Sequence, residues 1–81
     1  MNEFIEFEYM GTTASGKTKA WMIKSRRTGT MLGEVKWFGR WRRYAFFPCQ
    51  DTIWNPDCLV AVTDFIAEQM NARHMLSLET T

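Results

Sequence analysis

Histidine, cysteine and proline are scarce in this chain of 81 residues: one His, two Cys and two Pro. A protein metal site needs three or four converging His, Cys or acidic ligands. His74, Cys49 and Cys58 are too few, and the cysteines lack the C-x-x-C spacing of metal or redox pairs. The same poverty leaves no nucleophile–base pair on which to build covalent or general-base catalysis. Apolar runs are short, and none approaches the ~18–20 residues of a membrane span. Acidic residues are nearly absent from the middle of the chain. Residues 11–48 hold Glu34 against nine Lys and Arg, a net charge of +8, flanked by −3 over residues 1–10 and −4 over residues 49–81. The whole chain carries only +1, so the asymmetry is local, as expected of a surface that meets an anionic partner.

Aromatic residues are abundant instead: four Trp, two Tyr and six Phe. Large rings bury much area each, so one small domain can build a core without disulfides or metals. The N-terminus MNEFIEFEYM is acidic and alternating, unlike the basic start and continuous apolar stretch of a secretory signal. A cytoplasmic protein with two unpaired thiols is therefore expected.

Period-two alternation marks four strands. EFIEFEYM (3–10) sets Ile5, Phe7 and Tyr9 against Glu6 and Glu8, and KAWMIKSR (19–26) sets Trp21 and Ile23 against Lys24 and Arg26. MLGEVKWF (31–38) and WRRYAFF (41–47) follow, with a two-residue turn expected at Gly39-Arg40. Placing Glu6 opposite Lys24 pairs Phe7 with Ile23 and Tyr9 with Trp21. The same logic pairs Lys24 with Glu34, Ile23 with Val35 and Trp21 with Trp37. The period then changes. Asn55-Pro56-Asp57 reads as an N-cap, a first-turn proline and a first-turn acid. Leu59, Val62, Ile66 and Met70, with Phe65 beside them, form an apolar stripe, and the helix is expected from Pro56 to about Arg73. His74 reads as a solvated residue near the end of that helix.

The expected fold is α+β: a four-stranded antiparallel meander with one C-terminal helix packed on one face. It forms a single domain over residues 1–75, with a flexible tail at 76–81.

Three stretches carry resemblances. GTTASGKT (11–18) matches the G-x-x-x-x-G-K-[ST] phosphate-loop (Walker A) pattern. That loop must open a helix, whose N-terminus and backbone N–H groups hold the phosphates. Here KAWMIKSRRTG alternates as a strand, so a hairpin loop is expected that can touch an anion through Lys17. GEVKWF (33–38) resembles the G-x-V-K-W-F opening of cold-shock domains, where a following aromatic motif stacks single-stranded bases. Lys36, Trp37 and Phe38 match, Phe46 and Phe47 match loosely, and Arg43, Tyr44 and Ala45 stand where that motif has glycines. Two strands precede the stretch and a helix follows it, unlike a cold-shock barrel. Over residues 4–73 the order of elements resembles a family of small uncharacterised phage and prophage proteins. Its signature is an acidic F-E-Y strand, an S-G-K-T turn, W-x-x-x-S and G-x-x-x-W strands, W-R-x-Y-x-F-F-P and a capped helix. The resemblance implies a cytoplasmic protein of bacterial or phage origin.

The candidate binding residues are Lys17, Lys24, Arg26, Lys36, Arg40, Trp41, Arg42 and Arg43. Guanidinium groups hold phosphates in pairs of hydrogen bonds and aromatic rings stack bases. Trp21, Trp37, Tyr44 and Phe46 are expected in the core, Phe38 and Trp41 at the surface. The leading expectation is a non-enzymatic module that binds nucleic acid or a nucleotide, without cofactor or metal. The rivals are an inhibitor or adaptor of a host protein and a phosphate-loop nucleotide binder. A homodimer through a sheet edge or face is also open.

Overall fold

A computed structural model describes residues 3–13 and 16–79, the last five as helix backbone. Strands β1 (Ile5–Thr12), β2 (Lys19–Ser25), β3 (Met31–Phe38) and β4 (Arg43–Pro48) precede one helix, α1 (Pro56–Glu79). The strands form a single antiparallel sheet in chain order, β1-β2-β3-β4. The α+β meander expected from the alternation is what forms. Ala14 and Ser15 of the GTTASGKT stretch, and residues 80–81 of the tail, lie outside the described residues.

The β1–β2 register is the expected one: Glu6 opposes Lys24, Phe7 opposes Ile23 and Tyr9 opposes Trp21. The β2–β3 register differs. Trp21 opposes Val35, Met22 opposes Glu34 and Ile23 opposes Gly33, with an irregularity between Ile23 and Lys24. The displacement from the expected pairing is two residues, so every side chain keeps its face. Close packing accounts for Gly33 at this position. A Cβ there would lie 3.0 Å from the Phe46 ring and 3.0 Å from the Phe47 carbonyl oxygen, so only glycine lets β4 come this near.

The β3–β4 connection also corrects the expectation. It has four residues, Gly39–Arg42, closed by the Phe38–Arg43 pair. Trp41 N–H donates to the Phe38 carbonyl at 3.1 Å and Arg42 N–H to Gly39 at 3.2 Å, with Arg42 in the left-handed region at φ 55°. A two-residue turn would have set Arg42 opposite Trp37 on the core face. The longer turn sets Tyr44 there instead and releases the guanidinium to solvent.

The core lies between one sheet face and α1. Ile5, Trp21, Ile23, Val35 and Tyr44 meet Cys58 and Val62, with Trp37, Phe46, Phe65 and Met70 packed around them. The Phe65 ring stacks on Phe7 with centroids 4.0 Å apart and meets Trp21 edge-on at 5.1 Å. Asn55 caps the helix, its Oδ1 accepting from Cys58 N–H at 2.8 Å. Trp54 pins the helix entry against Phe46 at 4.6 Å. This entry turns Cys58 inward and Leu59 outward, 44% exposed, so the stripe runs through Cys58, Ala61, Val62, Phe65, Ile66 and Met70 rather than through Leu59. Tyr9 shares the core face but stays mostly exposed on edge strand β1. The helix continues to Glu79, past Arg73. Both cysteines are free thiols.

Candidate functional site

In a meander the first and third connections fall at one end of the sheet and the second at the other. The β1–β2 loop, holding Lys17, and the β3–β4 turn, holding Arg40, Trp41 and Arg42, therefore share an end. Arg43 and Lys36 sit on the strand ends beside that turn. The far part of α1 reaches the same end. Arg73 donates through Nη1 to the Lys17 carbonyl at 3.0 Å, and its guanidinium carbon lies 4.3 Å from the centre of the Trp37 ring. The sequence reading did not single out Arg73. Its signal was a cation three residues after Met70, in line with the apolar stripe.

The β3–β4 turn is an exposed basic feature. Arg40, Trp41, Arg42 and Arg43 are all exposed, Trp41 at 63%. Among the described residues no carboxylate pairs with Arg40, Arg42 or Arg43. Trp41 is held on its inner edge by Phe38, ring centroids 4.7 Å apart at 78°.

Lys24 and Arg26 are not part of this cluster. Lys24 Nζ donates to Glu8 Oε1 at 2.7 Å, and that hydrogen bond raises its pKa above the usual lysine value of 10.5. Arg26 lies at the opposite end, where Nε donates to the Ile5 carbonyl at 3.0 Å and Nη1 lies 3.8 Å from Glu6. Both cations are engaged by the acids of β1. Lys36 is intermediate: its Nζ is 4.0 Å from Glu34 and 4.8 Å over the Phe47 ring.

The phosphate-loop pattern builds a hairpin loop. Thr13 N–H donates to the Thr18 carbonyl and Gly16 N–H to the Thr13 carbonyl, both at 2.8 Å. The Thr13 and Thr18 hydroxyls bond each other at 2.7 Å, and β2 follows directly instead of a helix. These amides serve the turn, whereas a nucleotide loop aims its amides at phosphate. No three His, Cys, Asp or Glu side chains among the described residues converge as metal ligands. No helix among them is long and apolar enough to cross a membrane.

No protein-family model and no solved structure matches the chain. It is similar to an uncharacterised 9.3 kDa protein of Acholeplasma phage L2, 27% identical over 71 residues, spanning 88% of this chain and 86% of the phage protein.

Proposed function

We propose that this chain is a non-enzymatic accessory protein of phage type, acting in the cytoplasm, which binds nucleic acid through its β3–β4 turn. The observation that carries the reading is the turn itself. Arg40, Arg42 and Arg43 surround the exposed Trp41, and no carboxylate among the described residues neutralises them. Arginines with no protein counterion suit phosphate oxygens, and an exposed indole suits a base. The similarity to a phage protein supports the origin and carries no activity.

The test is fluorescence anisotropy with labelled oligonucleotides across a salt series. Binding should weaken steeply with salt, and Arg40/Arg42/Arg43→Ala should abolish it while leaving the circular dichroism unchanged. A binding constant indifferent to salt would remove phosphate contacts from the account. Incubation with ATP and Mg²⁺ should release no phosphate.

A second reading rests on a different surface. Ile53 is 95% exposed, and Phe4 and Val60 are about half exposed; Phe4 lines a groove with each of the other two near the start of α1. Exposed apolar groups gathered in this way suit a protein partner. Capture of a host protein that survives nuclease treatment, and that Ile53→Asp abolishes, would favour an inhibitor or adaptor.

A further inference from the structure

Strand alternation divides the aromatic residues between two environments. Trp21, Trp37, Tyr44 and Phe46 face α1. Phe38 and Phe47 fall on the opposite face, together with Met22, Lys36 and Ala45, by the register of β2, β3 and β4. No described element covers that face.

The rings on the open face are not scattered. Phe47 and Phe38 lie 6.2 Å apart between centroids, and Phe38 meets Trp41 at 4.7 Å. They form a line from Phe47, near the far end of β4, to the β3–β4 turn. Cations accompany the line: Lys36 over Phe47, Arg43 opposite Phe38, then Arg40 and Arg42 in the turn. The same face ends in acids at the other edge, Glu6 and Glu8 on β1. The open face thus carries ion-paired carboxylates along β1 and rings with an excess of cations along β3 and β4, where Glu34, opposite Phe47 and 4.0 Å from Lys36, is the single carboxylate. A polyanion finds balanced charge at the first edge, where Lys24 and Arg26 answer Glu8 and Glu6, and at the second arginines that no carboxylate among the described residues answers.

We propose that the open face over β3 and β4 binds single-stranded nucleic acid. Bases stack on Phe47, Phe38 and Trp41, while phosphates lie on Lys36, Arg43 and the arginines of the turn. This rests on the reading of the turn as a nucleic-acid contact and adds the strandedness, the path and three residues, Lys36, Phe38 and Phe47. Rings set in a sheet can stack only on bases whose faces are free, so paired bases in a duplex offer them nothing. A duplex can reach the turn, but only through its backbone. The rings and arginines of β3, β4 and their turn set the path of the strand, since Lys24 and Arg26 are engaged by the acids of β1.

The experiment compares a labelled oligothymidylate of about a dozen residues, within the span of known single-strand sites, with a duplex of the same length. Proteins are the wild type, Phe38→Leu, Phe47→Leu and the Arg40/Arg42/Arg43→Ala variant. Leucine retains apolar contact with the sheet, and thermal unfolding checks that each variant is folded. The single strand should bind at least about ten-fold tighter than the duplex. Each Phe→Leu change should weaken single-strand binding by about five-fold or more, the effect of losing one stacked base, and leave duplex binding unchanged. Equal or tighter duplex binding, with the Phe variants indistinguishable from wild type, would overturn this inference and leave the turn as a backbone contact. Absence of binding to both would overturn the turn reading as well and leave a protein partner.

Discussion

Arg73 sits over Trp37 with its guanidinium carbon 4.3 Å from the ring centre, while the same side chain donates to the Lys17 carbonyl. One residue from the far part of α1 thereby ties down both the end of β3 and the β1–β2 loop. A partly exposed cation–π contact contributes ~0.5–1 kcal/mol, and a single hydrogen bond about 1 kcal/mol. Arg73→Ala should therefore cost about 1–2 kcal/mol in urea denaturation. It should also speed hydrogen exchange at the Thr13 and Gly16 amides, which close the loop. Unchanged exchange there would mean the loop holds itself through its own hydrogen bonds.

Glycine is required at Gly33 and not at Gly39. A methyl group at Gly33 meets Phe46 and two backbone atoms of β4 within 3.2 Å, while one at Gly39 meets nothing within 4 Å. Gly33→Ala should destabilise by ~1–3 kcal/mol, the usual cost of overpacking. Gly39→Ala should be neutral or stabilise by up to about 1 kcal/mol, because it restricts the unfolded chain. Thermal unfolding of the two variants side by side separates these outcomes.

The helix cap is a third point of test. Asn55→Ala removes the acceptor for Cys58 N–H and should cost about 1 kcal/mol, within the range of other caps. Asn55→Asp keeps an acceptor and should keep most of the stability. Loss in both variants would place the importance of Asn55 in its packing beside Trp54 rather than in the cap.

Lys24 gives a pH dependence with a definite sign. Its hydrogen bond to Glu8 raises its pKa in the folded protein above the value of 10.5 that it has when unfolded. The pair therefore adds stability below pH 10.5, and that contribution is lost as pH rises through the folded pKa. Glu8→Gln should lower the melting temperature slightly at pH 8, and the gap to wild type should close as pH rises through the raised pKa of Lys24. A gap constant across that range would show that Glu8 acts through something other than the Lys24 charge.

Much of this fold is legible from alternation because β1, β2 and β3 each set an apolar face against a face that carries charge. Glu6–Lys24 and Phe7–Ile23 pair as the pattern requires. Alternation is blind to a slip of two residues, since parity survives it. The β2–β3 register therefore depended on Gly33 making room for Phe46, and the β3–β4 turn on keeping Arg42 out from under the helix. Both are packing facts between segments, which a local pattern does not contain. The candidate site was readable in the same partial way. The charges of the β3–β4 turn lie together in sequence and stay together in space. Lys24 and Arg26 looked equivalent to them, but the β1–β2 pairing hands them to Glu8 and Glu6. Phe47 was legible only once the register fixed its face.

Trp41 offers the sharpest separation of binding from folding. It is 63% exposed and touches the protein chiefly through Phe38, on a turn held by backbone hydrogen bonds. Removing an exposed side chain outside the core changes stability by ~0.5 kcal/mol or less. Trp41→Ala should therefore melt within a few degrees of wild type. A stacked indole contributes ~1–3 kcal/mol to holding a base, so the same variant should bind an oligonucleotide about five-fold to one-hundred-fold more weakly. Trp41→Phe should recover part of that loss, because a phenyl ring still stacks. Phosphate contacts by the neighbouring arginines survive both changes, so the slope of affinity against salt should stay near the wild-type value while its intercept falls. A variant that binds as tightly as wild type would leave the arginines as the whole interaction and the indole as a surface residue of the turn.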